Sequence, residues 1–231
     1  NTKLLLHFNG TDGFNTNNTW DATGQHKFNF SGDAHINTSE SKFGGSSLSL
    51  DGTGDYISVP YSSDFNWSQN FTIDFWVYLS ANTASDDHMF IHATSDDNYF
   101  YVRPVTQSGN NWKLNWRLRT NAVSNWEILT TNQVITEEQW THLTITRSGT
   151  AITTYVNGVA PAGGSATESG TVSEIAGVFE IGSVSATTFT TEFDGNIDEF
   201  RISNGIAKWT ANFTPPTREY NQTYSNLTLQ V

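Results

Sequence analysis

The chain has 231 residues and no cysteine, which excludes disulfide bonds and thiolate metal sites. Its net charge of −12, from 11 basic and 23 acidic side chains, disfavours binding to nucleic acid or to anionic membrane surfaces. Its 36% hydrophobic residues suffice for a core, but no apolar stretch approaches the length of a membrane span, so membrane insertion is not expected.

Short runs of alternating apolar and polar residues recur along the chain and predict β-strands. The run at residues 71–79 places every second side chain on one apolar face. Residues 112–118 repeat this pattern with Trp112, Leu114, Trp116 and Leu118. Asn157-Gly158 follows a further apolar run and is typical of a type I′ hairpin turn.

An apolar strand is also predicted near each end, at residues 4–10 and 193–203, and we expect the last strand to lie beside the first. No segment has apolar residues at helical spacing. The chain is therefore predicted to be all-β, as a two-sheet antiparallel β-sandwich of the jelly-roll kind. Pro215-Pro216 ends the compact part, which gives a domain at 1–217 and a C-terminal tail or edge strand at 218–231.

Eight motifs, spread in order over nearly the whole chain, resemble the laminin-G-like domains of the concanavalin A-like superfamily. They are LLHFNG at 5–10, KFGGSSL at 42–48, DGTGDY at 51–56, FTIDFW at 71–76, WTHL at 140–143, YVNG at 155–158, GNIDEFRI at 195–202 and WTANFTPP at 209–216. The HFNG opening and the FTPP ending resemble in particular the laminin-G-like domains of bacteriophage tail, fibre and capsid-associated proteins. The resemblance implies a concanavalin A-like sandwich that binds glycans or proteins, often with calcium.

The same resemblance points to a calcium site at Asp198 and Gly45. Asp198 matches, in its strand position, an aspartate that supports calcium in related sandwiches, where a glycine carbonyl from a loop placed like Gly44-Gly45 joins it. His7 stands where some relatives carry an acidic residue before Phe-Asn-Gly. The alternative is that Asp198 accepts hydrogen bonds from backbone N–H groups beside the first strand.

Superfamily members that cleave β-glucans carry two glutamates a few residues apart on one strand face. Here Glu137 and Glu138 are adjacent, so they point to opposite faces, and Glu192 and Glu199 are separated by Asp194-Gly195. Neither pair places an acid and a nucleophile on one strand. We therefore expect no enzymatic activity.

The favoured ligand-binding surface is a polar row on the strand that begins near residue 112, with neighbours on the strand before it. Its predicted members are Arg103, Lys113, Asn115, Arg117 and Arg119, flanked by Tyr101 or Trp126. An arginine fork holds carboxylates or sulfates with two hydrogen bonds, so the row is predicted to bind an acidic surface polysaccharide. The alternative is an ordinary solvated strand face. Trp67 and Trp209 are further aromatic candidates.

We interpret the chain as a non-enzymatic glycan-recognition module of a phage virion, displayed on the virion surface in many copies that supply avidity. Its expected partners are host-surface glycan or polysaccharide, neighbouring virion proteins and, in a homo-oligomer, further copies of the chain. Two alternatives remain open. One is a purely structural decoration or assembly domain, and the other is an accessory domain of a secreted, extracellular bacterial polysaccharide-degrading enzyme.

Overall fold

The computed structural model describes residues 1–81, 83–183 and 191–220. In these ranges all regular structure is β-strand, arranged in two sheets whose paired strands are all antiparallel. The described residues include no helix that is long and apolar enough to cross a membrane. The prediction of an all-β, two-sheet antiparallel sandwich is confirmed.

The first sheet has eight strands and contains both terminal strands. Its order is β15 (Ser165–Thr167), β14 (Ala151–Val156), β13 (Thr141–Ser148), β7 (Phe71–Leu79), β17 (Asp194–Asn204), β5 (Ser47–Asp51) and β4 (His35–Asn37), with β1 (Thr2–Leu6) also paired to β17.

The second sheet has nine strands and packs its apolar face on the first. Its order is β11 (Val123–Leu129), β10 (Asn111–Thr120), β9 (Asn98–Ser108), β8 (Phe90–Ser95), β16 (Val178–Ile181), β6 (Tyr56–Val59), β3 (Lys27–Ser31) and β2 (Thr19–Trp20), with β12 (Ile135–Thr136) also paired to β10.

The terminal strands lie side by side, as the sequence predicts. Leu4 pairs with Ile202 and Leu6 with Phe200, and all four side chains are buried in the core. The first half of β17 pairs with β5 instead, so β1 and β5 follow one another along the same edge of β17. β17, the longest strand of this sheet, is therefore paired along both edges, with β7 on one side and with β1 and β5 on the other.

A β-bulge in β17 aims a group of polar residues away from the core. The register between β17 and β7 shifts between Asp198 and Arg201, and Glu199 within the bulge has a φ of 52°. Bulges commonly re-aim a side chain in this way. Asp198 and Arg201 pair with Trp76 and Asp74, whose neighbours along β7 point into the core.

Aromatic side chains fill the space between the sheets. Phe75 and Phe200 of the first sheet stack at 5.1 Å, and Phe90 of the second sheet contacts both of them edge-on. The rows predicted from alternation at 71–79 and 112–118 both belong to this core. Their register places Trp116 of β10 against Phe75 and Phe90.

After β17 the chain returns across the outer face of the eight-stranded sheet; we call residues 206–220 the C-terminal arch. Its backbone is fixed at three points: Lys208 N donates to Thr72 Oγ1 at 2.9 Å, Phe213 N to Gly158 O at 2.9 Å, and Tyr220 N to the Glu199 carboxylate at 2.6 Å.

The buried ring of Tyr220 makes the described part of the predicted tail continuous with the sandwich. Tyr220, within the predicted tail of 218–231, donates its backbone N–H to Glu199 inside the bulge. The rest of the predicted tail, 221–231, lies outside the described residues.

Candidate functional site

The predicted polar row lies on the outer surface of the nine-stranded sheet. In the antiparallel register of β9 and β10, Arg119 lies opposite Tyr99, Arg117 opposite Tyr101 and Asn115 opposite Arg103. Lys113 continues the row on β10. We call these seven residues the basic face: Tyr99, Tyr101, Arg103, Lys113, Asn115, Arg117 and Arg119.

Acidic side chains balance most of the positive charge on the basic face. Arg103 forms a salt bridge with Asp86 at 3.0 Å, and Arg119 forms one with Asp97 at 2.9 Å. Glu127 of β11 lies opposite Arg117 in the register. The row predicted to be an open cationic surface is therefore close to neutral, because loop residues 86 and 97 supply carboxylates from outside it.

A hydrogen-bonded chain fixes the centre of the basic face. Arg103 Nε donates to Asn115 Oδ1 at 3.2 Å, and Asn115 Nδ2 donates to Glu127 Oε1 at 3.0 Å. With the salt bridge to Asp86, four side chains from three strands and one loop are thus held in one arrangement. Polar groups on neighbouring strands of a sheet are well suited to hold donors and acceptors in fixed positions.

Arg117 forms no salt bridge with a described residue, in contrast to Arg103 and Arg119. Its Nε is buried without a hydrogen-bond partner in the described part of the chain. Burial acts to lower the pKa of Arg117, but Tyr99, Glu127 and Tyr101 outweigh burial and raise it. Arg117 is therefore charged, and beyond its hydrogen bond with the Tyr101 side chain its five N–H groups leave donors for a ligand.

The predicted aromatic flank differs from the structure. Trp126 lies opposite Leu118 in the β10–β11 register, so strand alternation turns its ring into the core, 5.3 Å from Phe100. Tyr101 is on the basic face but only 2% exposed, with the Arg103 guanidinium 4.7 Å above its ring. Trp67 is also a core residue, and its indole N–H donates to His92.

The predicted metal residue Asp198 is fully buried in the β17 bulge and holds the loop that carries Gly45. Its Oδ2 accepts hydrogen bonds from Lys42 N at 3.0 Å and Phe43 N at 2.9 Å, which matches the alternative of a backbone-bonding role. Its Oδ1 is buried with no partner among the described residues. Burial, reinforced by the neighbouring charge of Glu199, raises the pKa of Asp198 to about 7.

A carboxylate oxygen that lacks a donor is the kind of ligand that calcium takes. The chemistry of Asp198 Oδ1 therefore fits a calcium ligand, and Gly45 lies in the loop whose backbone Asp198 holds. His7, at the position where some relatives are acidic, instead bonds the Glu199 carboxylate at 2.6 Å. That hydrogen bond raises the pKa of His7.

A separate group of carboxylates, Asp33, Asp51 and Asp55, has ligand atoms within 4.8 Å of one another. The buried Asp55 accepts from Asp33 N at 2.8 Å and from Asp51 N at 3.1 Å. These bonds tie two turns together. The group therefore has a structural explanation that needs no ion.

The glutamate pairs considered for hydrolysis are engaged in other contacts. Glu137 is buried and accepts hydrogen bonds from Trp112 Nε1 at 2.9 Å and Gln107 Nε2 at 2.6 Å. Glu199 is buried and bonded to His7 and to the backbone of Tyr220. Among the described residues neither pair presents two carboxylates to one cleft.

Comparison with known proteins gives the family. The model described as concanavalin A-like lectin/glucanases superfamily, a laminin-G family model, matches residues 51–209. This range contains the basic face and most strands of both sheets. No curated protein sequence matches the chain.

Several solved structures share the fold. Domain 4 of AbnA, an extracellular GH43 arabinanase from Geobacillus stearothermophilus solved with arabinotriose, is 22% identical at a TM-score of 0.64, covering 88% of this chain and 92% of that domain. The binding domain of botulinum neurotoxin serotype D is 16% identical at a TM-score of 0.63, covering 88% of this chain and 48% of the toxin chain. Botulinum neurotoxin type C, which interacts with two ganglioside molecules, is 14% identical at a TM-score of 0.60. The match covers 95% of this chain and 48% of the chain in that structure.

Proposed function

The chain belongs to the concanavalin A-like lectin/glucanase superfamily, and from this premise we propose that it is a non-enzymatic glycan-binding module. The observation that carries the proposal is the basic face, where charged, amide and phenol groups from β9, β10 and β11 form one connected array. Sugar hydroxyl groups both donate and accept hydrogen bonds. A face with carboxylate acceptors and guanidinium donors side by side satisfies both roles.

The balance of charge on this face favours a ligand with many hydroxyl groups over one that is recognised by charge alone. Arg103 and Arg119 are already paired with carboxylates, so an anionic ligand gains little from them. Arg117 and Lys113 remain to contact the ligand. The contacts are few, and we propose weak binding at each site, strengthened by many copies.

The absence of enzymatic activity is part of the proposal. It is supported by Glu137 and Glu199, whose carboxylates are buried and hydrogen-bonded to neighbouring groups. A glycosidase needs one carboxyl group as acid and another as base or nucleophile on either side of the scissile bond. The described residues offer no such pair in a cleft.

We also propose that Asp198 binds calcium, with Gly45 in the adjoining loop. The support is Asp198 Oδ1, which has no partner among the described residues, and the hydrogen bonds that Lys42 N and Phe43 N donate to Asp198 Oδ2, through which an ion would order the loop. When bound, calcium supplies charge that compensates the buried carboxylate. Asp198 itself orients the loop and accepts two backbone hydrogen bonds.

For the setting of the module we propose the surface of a phage virion, in a fibre, tail or capsid decoration, with neighbouring virion proteins and copies of itself as partners. This rests on the resemblance of residues 7–10 and 213–216 to domains of such proteins. Immunogold labelling of intact particles by antibodies against the chain tests it.

A second setting is favoured by one specific comparison. The arabinanase domain is covered over 92% of its length by this chain and was solved with arabinotriose. An accessory glycan-binding domain of a secreted enzyme is therefore the alternative. A catalytic domain encoded next to this one would identify that setting.

The binding function is tested on a glycan array that contains neutral and acidic glycans, with and without a chelator. The informative variant is Arg117→Ala, because Arg117 takes no part in the chain of bonds from Asp86 to Glu127. We expect at least tenfold weaker binding to the neutral glycans, about 1.4 kcal/mol. Lys27→Ala removes the same charge from β3 of the same sheet and should bind like the wild type.

Arg117→Ala that binds as tightly as the wild type contradicts the assignment of the basic face. Binding that the chelator abolishes supports the calcium role of Asp198, and Asp198→Asn should then behave like the chelated wild type. If the chelator changes neither binding nor thermal stability, the calcium proposal fails while the glycan proposal stands.

A further inference from the structure

A groove of about 630 Å³ lies between the C-terminal arch and the outer face of the eight-stranded sheet. Residues that line it include Arg201, Lys208, Trp209, Pro215, Arg218 and Tyr220. The two adjacent prolines, with φ fixed by their rings, hold the bend of the arch that forms one wall. The groove is on the opposite outer surface of the sandwich from the basic face.

The groove is positively charged in an otherwise acidic protein. Three of the 11 basic residues, Arg201, Lys208 and Arg218, line it. The single acidic residue in its described lining is Glu219. Glu219 accepts a hydrogen bond from Asn9 at 3.0 Å and lies against Gly44, where an added Cβ would be 2.5 Å from its Oε1. The Glu219 carboxylate is thus held at Asn9, near the end of β1.

Lys208 forms no salt bridge with any residue that the structure describes. Arg201 is committed to Asp74 by two hydrogen bonds, of 3.0 and 2.7 Å. Among the described residues no carboxylate lies within 4.0 Å of the Lys208 ammonium. Lys208 is half-buried, and burial together with the charge of Arg201 lowers its pKa.

The indole ring of Trp209 lines the same groove and is held in place by its neighbours. Trp209 stacks on Phe213 at 4.1 Å with an interplanar angle of 8°, and its edge contacts His142. Phe213 is in turn fixed by its backbone hydrogen bond to Gly158. Aromatic rings with a preset orientation bind the apolar face of a ligand at low entropic cost.

From this arrangement we propose that the groove binds an anionic sugar residue, with its acidic group on Lys208 and Arg218 and its ring against Trp209. The site is distinct from the basic face and selects for charge, which the balanced basic face does not. The chain then carries two sugar-binding surfaces on opposite sides of one sandwich. The acidic ligand expected from the sequence is in this way assigned to a different surface from the predicted one.

The test is an NMR titration of the Trp209 indole N–H signal, assigned by its loss in Trp209→Phe. The probes are glucuronate, galacturonate and N-acetylneuraminate, and methyl glucoside is the neutral control. We expect the acidic sugars to shift the signal saturably, methyl glucoside not to shift it at the same concentration, and added NaCl to weaken the effect.

Lys208→Gln should weaken the acidic sugars at least tenfold, and its fold is checked by the remaining indole signals. Arg117→Ala, on the other sheet, should leave this titration unchanged, so failure here is distinguishable from failure of the basic face. The proposal is overturned if none of the three acidic sugars shifts the signal up to tens of millimolar. It is equally overturned if Lys208→Gln binds them like the wild type.

Discussion

The imidazole of His92 is buried between the sheets and uses both ring nitrogens. Nδ1 accepts from the indole N–H of Trp67 at 2.9 Å, so the proton is on Nε2, which donates to Gly177 O at 3.0 Å. Burial lowers the pKa of His92 to about 4, although the bond to Gly177 acts in the opposite direction. A second proton on the ring would break the bond from Trp67.

This arrangement makes stability depend on pH in a defined direction. Between pH 6.5 and about 4 the unfolded chain protonates His92 and the folded chain does not, so the free energy of unfolding falls as pH decreases. His92→Gln should lower stability at pH 7.5 but flatten this fall by about 1.4 kcal/mol per pH unit. Chemical denaturation at several pH values measures both effects.

Comparing variant with wild type cancels groups that titrate in the same range, such as Asp87, whose pKa burial raises to about 6. Equal slopes for the two proteins would show that His92 is protonated in the folded state. Its assigned role as an acceptor for Trp67 would then be wrong.

For single side chains, the sequence shows which face of a strand each residue occupies, but it does not show which residues it will contact. Alternation along β10 correctly places Arg117 and Arg119 on the outer face. The sequence could not show that Asp86 and Asp97 would neutralise that face, because both lie in loops and each pairs with an arginine 17 or more residues away along the chain. Trp126 was misplaced because the bulge between β10 and β11 shifts the count of alternating positions by one.

Among the elements, the hairpin turn after β14 decides how the C-terminal arch docks. Asn157 and Gly158 have φ of 49° and 77°, as the predicted type I′ turn requires. The turn brings Gly158 under the arch, where an added Cβ would lie 1.9 Å from Phe213 O. Glycine at this position therefore allows both the positive φ of the turn and the close approach of Phe213 O.

Gly158→Ala should therefore destabilise the protein more than a left-handed backbone alone explains. The matched control is Gly149→Ala, at a turn with a φ of 62° and no atom within 4 Å of the added Cβ. We expect about 1–2 kcal/mol for the control and a clearly larger loss for Gly158→Ala. Thermal unfolding of both variants provides the comparison, and equal losses would show that the arch does not press on this turn.

The elements themselves were predictable because their causes are local. Period-two alternation and the Asn-Gly turn depend on neighbouring residues, and the pairing of β1 with β17 follows from two apolar termini in a sheet. The arch was not predictable. Residues 206–220 have no regular alternation of apolar and polar residues, and their docking depends on Asp74, His142 and Glu199, which other strands supply.

In the whole molecule, the C-terminal arch covers the outer face of the eight-stranded sheet and buries a group of polar and charged side chains beneath it. His142 is fully buried there and bonds the hydroxyl of Tyr220 at 3.0 Å, and Asp74 pairs with Arg201. Burial acts to raise the pKa of Asp74, but Arg201 and His142 outweigh it and lower the pKa to about 2. A buried charge of this kind is tolerated only while its partners stay in place.

Removing the arch should therefore destabilise the entire sandwich rather than free a tail. We compare chains ending after Tyr220 and after Gly205, because their difference is due to residues 206–220 alone. The shorter chain loses the packing of Trp209, Phe213 and Tyr220, each a large apolar group, and should be less stable by about 3 kcal/mol or more. Denaturant unfolding followed by tryptophan fluorescence and circular dichroism measures this difference. Equal midpoints for the two chains would mean that the strands hold the charged network of Asp74 without the arch, and the groove would then be formed by a dispensable segment.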